Sequence, residues 1–390
     1  MIRPRALVLA ALSGVLAAAA PAPVNYAADA RSIEALVNAN YAYLDRFPGQ
    51  RMPMTDKLRD EAGKVVSARE LVRFSERALA LLADHHAITG GSLKGSWAVF
   101  PSYGDLWIEG RGVTYLVEAV RDGSPAQQAG VRSGDLLLAV DGLFISQAVS
   151  AFWADLGARG GGERDAYAAR VLAAGRRDRP RRLTFGRVGE QPRQVSLPSL
   201  YSVQRPQRTP ASVLSERREY HIRINDSLGD SDTIAVFDAA MAAAPRGKRL
   251  VIDLTETPSG GNTTVARAIL GWFVRKPTFY QVHSLPAEER KSGISRQWVE
   301  QVLPRAGKYR AGPVTVRVGR WTGSMGEGLA IGFAAIGARV EGDRMAGLLG
   351  AIYDHRLEHS GQVVKFPTER LTAVDGTPRE RFVPRTPSAR

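Results

Sequence analysis

From Tyr201 onward, short apolar runs alternate with stretches of helical period, and this alternation narrows the fold more than any other feature. "REYHIRIN" and "PVTVRVGR" read as strands, and "KRLVIDLTE" as a buried strand. "SDTIAVFDAAMAAA", capped near Ser231, "PSGGNTTVARAILGWFV" and "SMGEGLAIGFAAIG" read as helices. Strands and helices in repeated alternation make an α/β core, because each apolar strand needs a helix over its face to leave water. The stretch "GQVVKFPTERLTAVDGTP" reads as a hairpin with polar turns.

Two of the strand-to-helix turns are rich in glycine. One places Gly260 and Gly261 after "LVIDLTETPS", and the other places Ser324 in "TGSMGEG". Open α/β folds put their sites at the C-terminal ends of the strands, which makes Ser324 a candidate nucleophile. The N–H groups of Gly260, Gly261 and Met325 are candidate oxyanion donors, since helix N-termini present free donors at the positive end of the dipole. Ser324 reads equally well as a helix cap, with Glu327 completing a capping box, and the glycine pair as a tight turn that needs glycine dihedrals.

Residues 31–100 read as a helical region. "RSIEALVNANYAYLDRF" and "SARELVRFSERALALLADHH" space apolar residues at i, i+3 and i+4, and Ser67 with Glu70 forms a capping box. Residues 101–200 differ. "VTYLVEAVRDGSPAQQAGVRSGDLLLAVDGLFI" alternates like strands, "SPAQQAG" reads as a short helix, and "SGD" and "DG" are tight turns. A helical stretch over 146–177 separates this run from a hairpin over 181–200. "VRDGSPAQQAGVRSGDLLLAVDG" resembles a PDZ domain, which binds an extended peptide as an added strand. That resemblance makes Leu106, Trp107 and Ile108, in "SYGDLWIE", the candidate peptide-binding residues. The segment lacks the glycine-rich loop that holds a free C-terminus in such domains.

The helical region, the PDZ-like run and the two glycine turns together resemble the C-terminal processing and tricorn-type serine peptidases over nearly the whole mature chain. "LVIDLTETPSGGNT" is similar to that family's "D-L-R-x-N-x-G-G" turn. "GSMGEG" is similar to its "S-x-S-x-x-E" turn, in which the serine three before the glutamate attacks. "VEGDRMAGLLG" resembles "V-x-G-x-x-T-x-G", and "TAVDGTPRERFVP" resembles the family's ending, with Arg385 where aspartate is usual. The resemblance implies a multi-domain α/β protein: an N-terminal helical region, a PDZ-like β domain with a helical insertion, and a ClpP/crotonase-like α/β peptidase core over 201–390. It implies Ser324 as the nucleophile. The lysine base of the processing branch falls on Leu348, and Lys365 matches a strand position instead. In the tricorn-type branch the base is a histidine from the N-terminal helical region. "LLADHHAIT" fits that segment, which implies His86 as the base, with His85 beside it and Glu380 as the acid that orients it. His221 and His283 read as strand residues, while His355 and His359 are rivals for the base.

The remaining features bound the setting. Arg3, Arg5, an apolar run from Ala6 to Ala20 and the Ala28-Asp29-Ala30 site read as a secretory signal over 1–30, cut before Arg31. This implies a periplasmic or secreted protein, and no later segment is apolar for long enough to span a membrane. The chain has no cysteine, which excludes a thiol nucleophile and cysteine metal sites, and no H-E-x-x-H spacing. No metal and no cofactor are expected. The formal charge of +14 comes from arginines scattered among acids, without aromatic interleaving, so nucleic acid is not an expected partner. Protein or peptide substrates are expected, and a homo-oligomer is left open. Two readings stand: an exported serine endopeptidase, or a catalytically inactive protein on the same fold that binds peptides or apolar ligands.

Overall fold

The computed structural model describes residues 24–203 and 208–387. Three helices open it: α1 (Tyr26–Asn40), α2 (Asp56–Ala62) and α3 (Ala68–Ala80). Asn25, Thr55 and Ser67 cap them by accepting the N–H groups of Ala28, Leu58 and Glu70. Ile33, Val37, Leu58, Leu71 and Phe74 bury the apolar faces in one cluster. α1 starts inside the expected leader. Asp29, 1% exposed, accepts the backbone N–H groups of His359 and Ser360. A cut before Arg31 would remove this anchor and the first turn of α1, so a processed chain that keeps this structure begins upstream of Asn25. Residues 1–23, with the basic and apolar parts of the expected signal, lie outside the described residues.

A short strand, β1 (Ile88–Thr89), leads into a second region. It comprises β2 (Leu106–Arg111), β3 (Thr114–Val120), α4 (Pro125–Gln128), β4 (Leu136–Val140), β5 (Leu143–Phe144), α5 (Ile145–Asp155), α6 (Glu163–Ala174), β6 (Arg181–Gly186) and β7 (Arg193–Leu197). Its antiparallel sheet runs β2–β3–β4–β6–β7, with β5 on β4. Asp141 and Gly142 take positive φ, 51° and 88°, to turn β4 into β5. α6 packs against both β2 and α5, and eight of its residues are buried, mostly alanines that let it approach closely.

The rest of the chain holds β8 (Ala211–Ser215), β9 (Glu219–Ile224), α7 (Asp232–Ala243), β10 (Arg249–Asp253), α8 (Thr263–Leu270), β11 (Thr278–Ser284), α9 (Pro286–Ser292), β12 (Gln297–Val302), β13 (Val314–Val318), α10 (Met325–Ala335), β14 (Arg339–Gly342), β15 (Ala351–Arg356) and β16 (Val363–Thr372). One sheet runs β14–β13–β10–β9–β8; β8 alone is antiparallel to its neighbour. Alternate residues (Ile222, Ile252, Val316) enter a core shared with Phe237, Ile269 and Phe333 of the helices. The strand–helix alternation is therefore realised as read. The β11–β12 hairpin was not foreseen. It belongs to a further sheet, β1–β16–β11–β12, with β15 on β16. The 181–200 hairpin is β6 paired with β7, whereas the stretch 361–378, expected as a hairpin with polar turns, is mainly the single strand β16. Ile88 pairs with Lys365 and Thr89 with Val364, so β1 ties the N-terminal region to this sheet and sets residues 84–87 beside the core.

Candidate active site

Ser324 sits between β13 and α10 with φ 50° and ψ −115°. A residue with a β-carbon seldom adopts such a backbone, and this kind of strain concentrates at functional turns. The surrounding packing explains the flanking glycines. A β-carbon on Gly323 would come within 2.9 Å of the Pro258 carbonyl, and one on Gly326 within 2.6 Å of Thr257 Oγ1. The loop after β10 therefore lies against the serine turn. A β-carbon on Gly260 would stand 4.0 Å from Ser324 Oγ. Gly260 and Gly261 do not serve left-handed dihedrals, since neither has positive φ. Gly261 is required because a β-carbon there would strike Leu228 at 2.6 Å. Among the described residues, no acceptor takes the N–H of Gly260, Gly261 or Met325.

His86 Nε2 lies 3.1 Å from Ser324 Oγ, across 238 residues of sequence. Its Nδ1 lies 2.6 Å from the carbonyl oxygen of Leu349. A carbonyl can only accept, so Nδ1 carries the proton and Nε2 presents its lone pair to the serine hydroxyl. The His86 backbone N–H donates to Asp84 Oδ1 at 2.9 Å. Burial, and then the Arg379 charge, push the imidazole pKa down to about 4.

Glu380 does not take the place expected of it, because the second imidazole nitrogen is already bound to a main-chain carbonyl. Its carboxylate lies toward Tyr43 and Asp84, with one oxygen buried and without a hydrogen bond. The residue before it turns inward instead. Arg379, 2% exposed, donates through Nη2 to the carbonyls of Leu348 (2.9 Å) and Gly350 (2.8 Å), and lies 4.0 Å from Glu327 Oε2. Glu327 is fully buried and accepts the N–H groups of Ser324 (2.9 Å), Gly347 (2.8 Å) and Leu348 (3.2 Å). Burial raises its pKa to about 7, against the opposing pull of Arg379. The capping role of the glutamate and the serine–imidazole contact thus coexist.

No other sequence-level rival approaches the serine. Leu348 is buried and packs on the serine turn, 3.2 Å from where a Gly323 β-carbon would be. Lys365 pairs with Asp354 at 2.9 Å. His355 contacts Thr368, His359 lies near Asp29, and His283 contacts Glu369 at 2.6 Å. His85 is held between the rings of Phe100 and Tyr167. His221 belongs, with Glu216 and Glu219, to the cluster of metal-ligating types found among the described residues. Arg249 and Arg317 already pair with Glu219 there, which disfavours a cation.

The expected peptide-binding strand is closed. Leu106, Trp107 and Ile108 are fully buried. β2 is the end strand of its sheet, but α6 covers it, and Arg170 Nε donates to the Ile108 carbonyl at 2.9 Å. The Arg170 and Arg320 guanidiniums both lie over the Trp107 ring, 4.9 and 4.5 Å from its centroid. The inserted helix fills the space an added strand would need, and that is why these three residues are core here. A cavity of about 1180 Å³ opens instead beside the 345–349 segment, lined by Asp84, His85, Leu349 and Glu380 among others.

Residues 116–147 match the family model of a PDZ domain. No curated protein matches the chain. Among solved structures, the photosystem II D1 C-terminal processing protease is similar with a TM-score of 0.56 at 17% identity, covering 93% of this chain and 92% of that one. Mature CPAF is similar with a TM-score of 0.60 at 14% identity, over 93% and 92%. Mature CPAF complexed with lactacystin gives 0.58 at 14%, over 93% of each chain. This chain therefore carries a PDZ domain and has the fold of the C-terminal processing protease and CPAF, the peptidase group that its turns resemble.

Proposed function

We propose that the protein is a serine endopeptidase with Ser324 as nucleophile and His86 as general base. The observation that carries this reading is the 3.1 Å contact between His86 Nε2 and Ser324 Oγ, with the tautomer set by Leu349. Ser324 Oγ attacks the scissile carbonyl as its proton passes to Nε2. The carbonyl electron pair moves onto oxygen, where the free N–H groups of Met325 and of Gly260 or Gly261 would receive it; each such donor is worth about 3 kcal/mol. The imidazolium then protonates the departing amine, and water releases the acyl group by the same steps in reverse order. No step calls on a metal or a cofactor. The fold shared with a C-terminal processing protease supports the peptidase reading. With the β2 edge covered, substrate reaches the serine without strand addition to the PDZ domain. Export to the periplasm or beyond, on the strength of residues 1–23, belongs to the same proposal.

The second reading, an inactive binding protein, draws on the apolar Leu348 and on the weak basicity of His86. Serine-reactive fluorophosphonate labelling separates the two. The peptidase labels at Ser324, and Ser324→Ala removes the label while its melting temperature stays unchanged. Label that persists in that variant, or none in the native protein, rejects the peptidase.

A further inference from the structure

We propose that the third member of the Ser324–His86 relay is the main-chain carbonyl of Leu349, and that Arg379 is the positioning residue that holds this carbonyl in place. The inference rests on the peptidase reading of Ser324 and His86.

Residues 344–349 belong to no helix or strand, so no ladder of backbone bonds sets the direction of their carbonyls. Two buried side chains take over that task from opposite ends. Glu327 accepts the N–H groups of Gly347 and Leu348, and Arg379 donates to the carbonyls of Leu348 and Gly350. The carbonyl between those two is Leu349 O, which receives the His86 Nδ1–H at 2.6 Å. Glu327 also holds the Ser324 N–H, so one carboxylate ties the nucleophile to the segment that carries the acceptor for the base. With an apolar Leu348 where a lysine would stand, the segment works through its backbone.

A carbonyl and a carboxylate orient an imidazole alike, but the neutral carbonyl stabilises the positive charge that forms during attack less than a carboxylate does. The charged groups around His86 are Asp84 on its own segment, Glu327 on α10, and Arg379 and Glu380 on the C-terminal turn. Of these, Arg379 acts on the imidazole and disfavours its charged form. The Leu349 and Gly350 carbonyls favour the charged form, but burial and then Arg379 outweigh them, so the clamp fixes the tautomer while the base stays neutral.

Histidine-selective ¹⁵N labelling and NMR of the full chain read this directly, with the His86 signals assigned by their loss in His86→Gln. The native protein should show the Nδ1–H tautomer and a titration near 4. Arg379→Met should let the tautomers mix, raise the titration by about one pH unit or more, and slow fluorophosphonate labelling at least ~tenfold. Arg379→Lys, which keeps the charge but not the planar fork, should slow labelling while the titration stays low. Melting curves check that both variants fold. A native Nε2–H tautomer overturns the proposal, as does an Arg379→Met protein whose tautomer and titration are unmoved. Loss of labelling in Glu380→Gln as deep as in His86→Ala would reinstate a carboxylate and also overturn it. A native protein that never labels, yet shows the expected tautomer and titration, rejects the peptidase and leaves the carbonyl clamp standing.

Discussion

A histidine base with an ordinary pKa of about 6.5 would lose activity as the pH fell through that value. In the structure, burial and Arg379 bring His86 down to about 4. The neutral base is then fully present from pH 5 upward, and the acid limb of labelling should lie near pH 4. A rate profile from pH 3.5 to 8 tests this, and a limb at 6.5 would mean that the imidazole is solvated or has a carboxylate partner. His86→Ala should slow labelling by at least ~10³-fold, while Lys365→Ala, bound to Asp354 at a distance from the serine, should stay within about tenfold. Glu327 makes a separate contribution to stability. Its pKa rises from 4.5 to about 7 on folding, so between those values the folded state keeps a proton that the unfolded state has lost. Glu327 therefore costs stability as the pH rises through that window, and Glu327→Gln should remove that part of the decline in chemical denaturation at pH 5 and pH 8. The legible residues were those whose type carries the chemistry. A serine among glycines and a histidine in a fitting segment can be recognised in a sequence. A main-chain carbonyl cannot, since every residue has one, and "TPRER" drew attention to Glu380 because a carboxylate is the usual partner of an imidazole. Arg379 was hidden by being one more arginine in a chain full of them.

At the level of elements, strand–helix alternation was readable because each unit repeats the same burial problem. The β11–β12 hairpin was not, because β12 is an edge strand whose exposed Gln297, Val299 and Gln301 show no helix-backed apolar run. The inserted helix α6 was visible as an alanine-rich stretch, but nothing in its composition said that it would lie along β2. Its burial on nearly every side marks it as core rather than as a loosely docked cover. Tyr167→Ala should accordingly destabilise the protein by about 3 kcal/mol or more in a urea titration, as expected for a large aromatic lost from a packed interior. A cost well under 1 kcal/mol would show instead that α6 is held weakly and can yield the strand edge to a peptide.

Across the whole molecule, the N-terminal region is stitched to the remainder through β1 on β16 and through Asp29 on the 359–360 turn. If the chain is processed, the mature N-terminus should fall upstream of Asn25, which N-terminal sequencing of the purified protein reads, and a start at Arg31 would contradict the cap and anchor of α1. Asp29→Ala should lower the melting temperature by a few degrees, since the two half-buried N–H groups of His359 and Ser360 lose their acceptor. The distance in sequence between base and nucleophile has one more effect. His86 leaves the ribosome long before Ser324, and the guanidinium that aims the Leu349 carbonyl comes only about fifty residues after that. A nascent chain therefore holds the histidine, and then the serine, before it holds the residue that aims the base. On this reading full activity comes late in synthesis, after both reacting residues are already in the chain.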